Sequence, residues 1–550
     1  MKKRLLTVAL SSMMALALAI TGCGNQAQPA ADNNTQQPAP AEQPAADSGQ
    51  KELIFGRGGD TVGLDPITVT DGESFRVTDN IFETLVKYKD TSTEVEPGLA
   101  ESWEISPDGL TYTFKLRQGV KFHDGSDFNA DAVVFNFNRW MDKSHPLHNK
   151  EGFEYYNDMF GGYKGDETHV IKSVEALDPT TVKFTLNRPL APFIQNLGMS
   201  TFAIASPKAL QEMGPEKFNE NPVGTGPFKF VEWKRNDSIT LEKNPDYWNK
   251  GFPKLDKIVF KVIPENSARL TALTSGEIDL MEGLNPDDVQ SVKENAELQL
   301  FERPAMNVGY VGFNVEKKPL DNPKVREAIA HAINKPALIE AFYAGLAQPA
   351  VNPMPPSIWG HNNNIKDREY NLEKAKQLLA EAGYPNGFKI QFWAMPVPRP
   401  YMPEGVKVAE AIQQDLKKIG IEAEIVTMEW ATYLDKTKAG EQEMFMLGWN
   451  GDNGDPDNFL ATLLDKNNIG GNNRSRWANE EAHQLLMKAQ SASSKEEREQ
   501  LYLQVQEIIF KEVPMVPIAH SISPLAGRAN IAGYTPHPTG SESLENVEFK

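Results

Sequence analysis

The sequence predicts a mixed α/β protein, on three observations. Short segments of period-two alternation follow turn signals, apolar residues recur at helical spacing between them, and from Phe388 onward strand and helix alternate regularly. The first strand-like run is Glu52-Leu53-Ile54-Phe55, followed by a glycine-rich turn, Gly56-Arg57-Gly58-Gly59, and a loop through Leu64-Asp65-Pro66. Tyr112 to Leu116 and Val182 to Leu186 alternate as half-buried strands, each just after a turn signal, Asp108-Gly109 and Asp178-Pro179. Helical spacing marks Ala130 to Trp140, with Val133, Val134, Phe137 and Trp140, and Lys324 to Ile333, with Val325, Ile329 and Ala332. The regular part runs strand 388–393, helix 406–419, strand 422–428, helix 433–439 and strand 444–449. That order is the pattern of a parallel sheet, in which ligands sit beyond the carboxyl ends of the strands.

At 550 residues the chain is too long for one ordinary core, so two or three folded units are expected. Lys and Arg number 56 against 75 Asp and Glu, a formal net charge of -19 that argues against general affinity for nucleic acid or anionic lipid. There is no fixed-period repeat of the kind that marks a solenoid or propeller.

The N-terminus reads as a targeting segment. Lys2, Lys3 and Arg4 precede an apolar stretch from Leu5 to Ile20, too short to span a bilayer comfortably and suited to a secretory signal over residues 1–22. It runs into Ile20-Thr21-Gly22-Cys23, which resembles the lipobox of bacterial lipoproteins, cut before the cysteine that then receives lipid. Cys23 is the only cysteine, so no internal disulfide is available and stability rests on the core. Residues 23–50 are rich in Ala, Pro, Gln, Asn and Ser and read as a flexible tether holding the folded body off a membrane. The expected location is the extracytoplasmic face of the cell membrane, attached by lipid only.

Two loops at strand ends stand out. In Ala394-Met395-Pro396-Val397-Pro398-Arg399-Pro400-Tyr401, prolines stiffen the backbone around one arginine, which can offer a bidentate fork to a carboxylate or simply lie on the surface. The second, from Gly448-Trp449-Asn450-Gly451-Asp452 to Asn458, carries three acids, three asparagines and three glycines and can aim a carboxylate inward. A calcium loop fails on spacing, because the fifth position from Asp455 is Phe459; a plain turn with solvated acids remains open.

Four segments, 97–103 (Pro-Gly-Leu-Ala-Glu-Ser-Trp), 116–125 (Leu-Arg-Gln-Gly-Val-Lys-Phe-His-Asp-Gly), 221–228 (Asn-Pro-Val-Gly-Thr-Gly-Pro-Phe) and 319–326 (Pro-Leu-Asp-Asn-Pro-Lys-Val-Arg), carry a family resemblance. Over nearly everything after Lys51 the chain resembles the ABC-transporter extracellular solute-binding family that serves dipeptides, oligopeptides and nickel. The two unusual loops look like the dipeptide branch. Carried over by position, the resemblance implies that Arg399 binds a peptide carboxylate and Asp452 a peptide ammonium. It implies a periplasmic-binding-protein type II fold, two lobes with a hinge plus an extra domain. The first lobe would take 51–82, 225–304 and 521–550, the added domain 83–224, and the second lobe 305–520. A peptide would lie extended in the cleft, with backbone bonds from Asp71-Gly72-Glu73, Asn450 and Gly451 beside the anchors, and Trp449 and Tyr401 as pocket walls or ordinary core aromatics. Permease and ATPase subunits are implied partners, no cofactor is, and the expected protein is a monomer. Glutathione, other short peptides, haem and nickel complexes stay open as ligands.

An extracellular peptidase is the competing class. The chain has no His-Glu-x-x-His and no Gly-x-Ser-x-Gly, and the closest pair of its nine histidines, His145 and His148, has no neighbouring acid cluster. His123-Asp124-Gly125 reads as a turn.

Overall fold

The computed structural model describes residues 51–540 and 543–550. The signal segment, Cys23 and the tether lie outside the described residues. Three sheets organise the body. A seven-stranded sheet runs in the order Leu298–Arg303, Ser523–Arg528, Leu280–Met281, Glu52–Arg57, Lys257–Val262, Ser238–Lys243 and Phe228–Lys234. Leu53, Phe55, Ile239, Leu241, Ile258 and Phe260 are fully buried on it, the outcome of period-two alternation with one face turned to a core. The first strand continues through Arg57, so the glycine-rich segment read as a turn from Gly56 leaves the strand two residues later than expected. Arg57 is fully buried there, donating to the Glu73 carbonyl (2.8 Å) and to Asp60 (3.1 Å).

A four-stranded antiparallel sheet pairs Ala100–Ile105, Thr111–Leu116, Thr181–Leu186 and Ile171–Asp178 in that order. The helix Ala130–Met141 shares its core: Phe137 meets Phe184 edge-on at 4.8 Å. Asn129 starts that helix by accepting from the Ala132 amide, the cap that a helix start demands.

The six-stranded sheet has the order Ala347–Pro349, Met515–Ser521, Asn307–Phe313, Met444–Asn450, Phe388–Trp393 and Ile421–Val426. The strands expected to be parallel are so: Phe388–Trp393 runs parallel to both Ile421–Val426 and Met444–Asn450. The sheet as a whole is mixed, because Asn307–Phe313 and Met515–Ser521 arrive from distant segments and pair antiparallel. The helix Gly405–Lys417 lies between two of the parallel strands and buries Val408, Ala409, Ile412 and Leu416, one stripe at helical spacing. Gly420, with φ of 87°, takes the left-handed turn that returns the chain to the sheet.

Among the described residues the chain passes between the seven- and six-stranded sheets twice, through 304–306 and through Ile522. No described helix is long and apolar enough to cross a membrane.

Candidate functional site

The two unusual loops leave the carboxyl ends of adjacent parallel strands, Phe388–Trp393 and Met444–Asn450, so the sheet itself brings them side by side. In the first, Arg399 is exposed and its backbone forms a tight bridge with Met402, amide to carbonyl at 3.1 Å and the reverse at 2.9 Å. Its guanidinium carbon lies 5.2 Å from the Trp430 ring centroid, a cation–π contact that leaves the N–H fork available. Among the described residues it has no carboxylate partner within ion-pair range.

Tyr401 turns the other way. It is 9% exposed, belongs to the sheet core, and lies where a Cβ at Gly448 would fall into its ring. Its carbonyl accepts from the Tyr343 hydroxyl at 3.0 Å. Trp449 is half-buried, with its indole N–H donating to Asn458 at 3.1 Å. Asn450 is half-buried at the strand end opposite Asn307. Gly451 is buried, its amide held by the Met306 carbonyl at 2.7 Å, and a Cβ there would press on Phe459.

The structure sorts the three acids of the second loop, which spacing alone leaves equivalent. Asp455 is committed to Arg498 in a buried two-pronged ion pair of 2.8 and 2.7 Å. Asp457 accepts from Gln490 (3.2 and 3.0 Å), and burial pushes its carboxyl up to about 7. Asp452 is held by neutral donors: the Tyr155 hydroxyl at 3.0 Å and the Asn458 amide at 2.9 Å. Its own amide donates to the Asn458 oxygen at 2.9 Å. Burial raises the Asp452 carboxyl to about 6, against the pull of those two hydrogen bonds. Among the described residues no Lys or Arg pairs with it. A half-buried carboxylate oriented by two donors and lacking a cation is suited to receive an ammonium group.

Tyr155, from the helix Glu154–Phe160, ties this loop to the part of the chain carrying the four-stranded sheet. Asn453 adds a bond to Asn196 at 2.8 Å, and the Ala191 amide reaches the Gln490 carbonyl at 2.6 Å. Tyr155 also meets Phe75 at 6.2 Å, which brings in the short helix Gly72–Thr78. Gly72 is the exposed first residue of that helix, with open space where a side chain would be, and Asp71 caps it through the Ser74 amide at 3.0 Å. Gly72 thus presents its backbone from a helix start rather than from an extended loop edge. Beneath it Arg76 pairs with both Glu73 (3.0 Å) and Glu282. Burial and the neighbouring Glu282 raise Glu73 to about 8; burial works against Glu282 ionising too, but Arg76 holds it down to about 2.

Tyr155 and Arg498 are the functional partners that sequence reasoning missed. Tyr155 is 297 positions from Asp452 and carries no local signal, whereas Asn458, six positions on, lies in the same acid-rich loop. Among the described residues no cluster of three or more His, Cys, Asp or Glu is arranged to hold a metal ion.

Residues 94–471 match the bacterial extracellular solute-binding proteins, family 5, in the region described as its middle. The chain belongs to that family. This solute-binding protein is 42% identical to heme-binding protein A of Haemophilus influenzae, over 92% of this chain and 94% of the relative. It is 40% identical to the dipeptide-binding protein of Escherichia coli, over 92% and 96% respectively. Among solved structures, it superposes with a TM-score of 0.81 on the ABC transporter-associated periplasmic binding protein DppA of Helicobacter pylori in complex with peptide STSA (43% identity, 90% of this chain, 98% of that one). The dipeptide binding protein of Pseudoalteromonas in complex with Met-Leu gives 0.83 (31% identity, 91% and 100%). These relatives are solute-binding proteins, and the two-lobed architecture is the one expected from the sequence.

Proposed function

We propose that the protein is the substrate-binding lipoprotein of a peptide ABC importer and holds a short peptide, a dipeptide foremost, by its two charged ends. Arg399 receives the carboxylate and Asp452 the ammonium, while the peptide lies between lobes formed by 51–82, 225–304 and 521–550 on one side and 305–520 on the other, with 83–224 as an added domain. The observation that carries this reading is that, among the described residues, neither charge at the ends of these adjacent strands has an ion-pair partner: Asp452 is oriented by Tyr155 and Asn458, and Arg399 by a stiff turn. Two charges a fixed distance apart select a ligand whose termini match that distance once water is excluded. Trp449 supplies a half-buried apolar surface beside Asp452. Cys23 carries the lipid anchor on the extracytoplasmic face, and membrane permease and ATPase subunits supply the energy of transport. The protein acts as a binder without catalysis.

A relative named for haem binding keeps a second ligand class in play, as does a glutathione-binding relative at 34% identity. Calorimetric titration of lipid-free protein, unfolded and refolded to strip co-purified peptide, separates them. Ala-Ala binds tightly, N-acetyl-Ala-Ala and Ala-Ala amide bind weakly, and Ala-Ala-Ala binds less well. Tight binding of haem or glutathione with none of Ala-Ala overturns the ligand.

A further inference from the structure

The two crossings between the large sheets lie against each other. The Leu298–Arg303 and Ser523–Arg528 ladder begins at the pair Arg303 and Ser523, and on the other side the Asn307–Phe313 and Met515–Ser521 ladder has its first pair at Gly309 and Ala519. Between these ladders a side chain replaces the backbone rungs. The Asn307 amide donates to the Ser521 carbonyl at 2.8 Å, and its oxygen accepts from the Ser521 amide at 3.0 Å. Asn307 is 3% exposed and Ser521 1%, so these bonds are shielded from water.

Each anchor loop is tied to this junction. On the Asp452 side, the Gly451 amide donates to the carbonyl of Met306, the last residue of the first crossing. On the Arg399 side, the Ser521 hydroxyl reaches the carbonyl of Pro400, the residue after Arg399, at 2.6 Å. A hydroxyl has one proton to donate. The Asn307 oxygen, 3.2 Å from the same hydroxyl, already accepts from the Ser521 amide, so the shorter bond to Pro400 takes that proton.

We propose that Ser521 is a positioning residue that references the Arg399 loop to the interlobe crossing, so that the spacing between the two anchor loops is set at the hinge itself. This rests on the reading that Arg399 receives a peptide carboxylate. The prolines on either side of Arg399 stiffen the loop without fixing it to the sheet; the Ser521 hydroxyl holds the carbonyl of Pro400, directly beside Arg399, while the Tyr343 hydroxyl holds that of Tyr401 one residue further on. Without the Ser521 bond the backbone next to Arg399 loses one of its ties and the guanidinium its exact register, so recognition of the carboxylate suffers while the Asp452 end is untouched.

The test measures affinity of the full, refolded protein for Ala-Ala, Ala-Ala amide and N-acetyl-Ala-Ala, in the parent, Ser521→Ala and Ser521→Thr. In Ser521→Ala the preference for acid over amide falls by about tenfold, on the scale of one hydrogen bond to a group that orients a charge. The penalty for N-acetylation stays as in the parent, and Ser521→Thr, which keeps the hydroxyl, restores the acid preference. An unchanged acid-to-amide ratio in Ser521→Ala, or an equal loss for all three ligands, overturns the proposal. A parent that itself fails to distinguish acid from amide sinks the Arg399 reading and this inference with it. Ser521→Cys, of nearly the same size and a weak donor, gives the same comparison should the alanine variant not fold.

Discussion

The loop after Trp393 and the loop after Trp449 leave neighbouring strands of one sheet, yet they hold their charged residues in opposite ways. Arg399 sits exposed on a proline-stiffened turn, with one aromatic ring beneath it. Asp452 sits in a half-buried polar network of Tyr155, Asn458 and Trp449, on a loop braced by the Asp455–Arg498 ion pair. The difference follows from the chemistry of the two groups. A guanidinium stays charged under all ordinary conditions and needs only a fixed backbone. A carboxylate drawn out of water tends to take up a proton, and only donors aimed at it keep it ionised near neutral pH.

The contrast sharpens into four expectations. The largest effect falls on the brace of the second loop. Arg498→Ala strands a buried Asp455 and costs about 3 to 5 kcal/mol of stability, read by denaturant unfolding of the unliganded protein. Arg399→Ala, in the exposed loop, leaves that unfolding midpoint where it was and weakens Ala-Ala binding by about 2 to 5 kcal/mol. A collapse of stability in Arg399→Ala would erase the distinction between the loops.

The third expectation uses pH. In the free protein Asp452 titrates near 6, above its ordinary value, and an ammonium pairs only with the ionised form. Affinity is therefore fully present above that pH and declines as pH falls through it, to about a tenth at pH 5 of its value at pH 7. Calorimetry across pH 5 to 8 reads it, and a flat profile would show that Asp452 is not the ammonium receptor. The smallest effect is Tyr155→Phe, which removes one donor to Asp452: affinity drops by about 1 kcal/mol and the midpoint of the pH profile moves upward.

Much of the scaffold was legible because period-two and helical alternation are local. The strand at 388–393 emerges from spacing alone, and so does the helix read over 406–419, which the structure ends at Lys417. The mixed character of their sheet was not legible, since the antiparallel strands Asn307–Phe313 and Met515–Ser521 come from far along the chain. Nor was the strand's extension through Arg57, because the glycines on either side mimic a turn while the burial of that arginine depends on Glu73 and Asp60. At the site, the sequence shows an acid-rich loop and an isolated arginine. Which acid is spoken for depends on Arg498 and Gln490, both on distant helices, and the orientation of Asp452 depends on Tyr155. Such assignments live in tertiary contacts and leave no periodic trace.

The most direct test of the account is a cycle that removes the carboxylate charge from the peptide and its partner from the protein, measuring affinity for Ala-Ala and Ala-Ala amide in parent and Arg399→Ala. Amidation is expected to weaken binding strongly in the parent and hardly at all in the variant. Equal amidation penalties in the two proteins would contradict it.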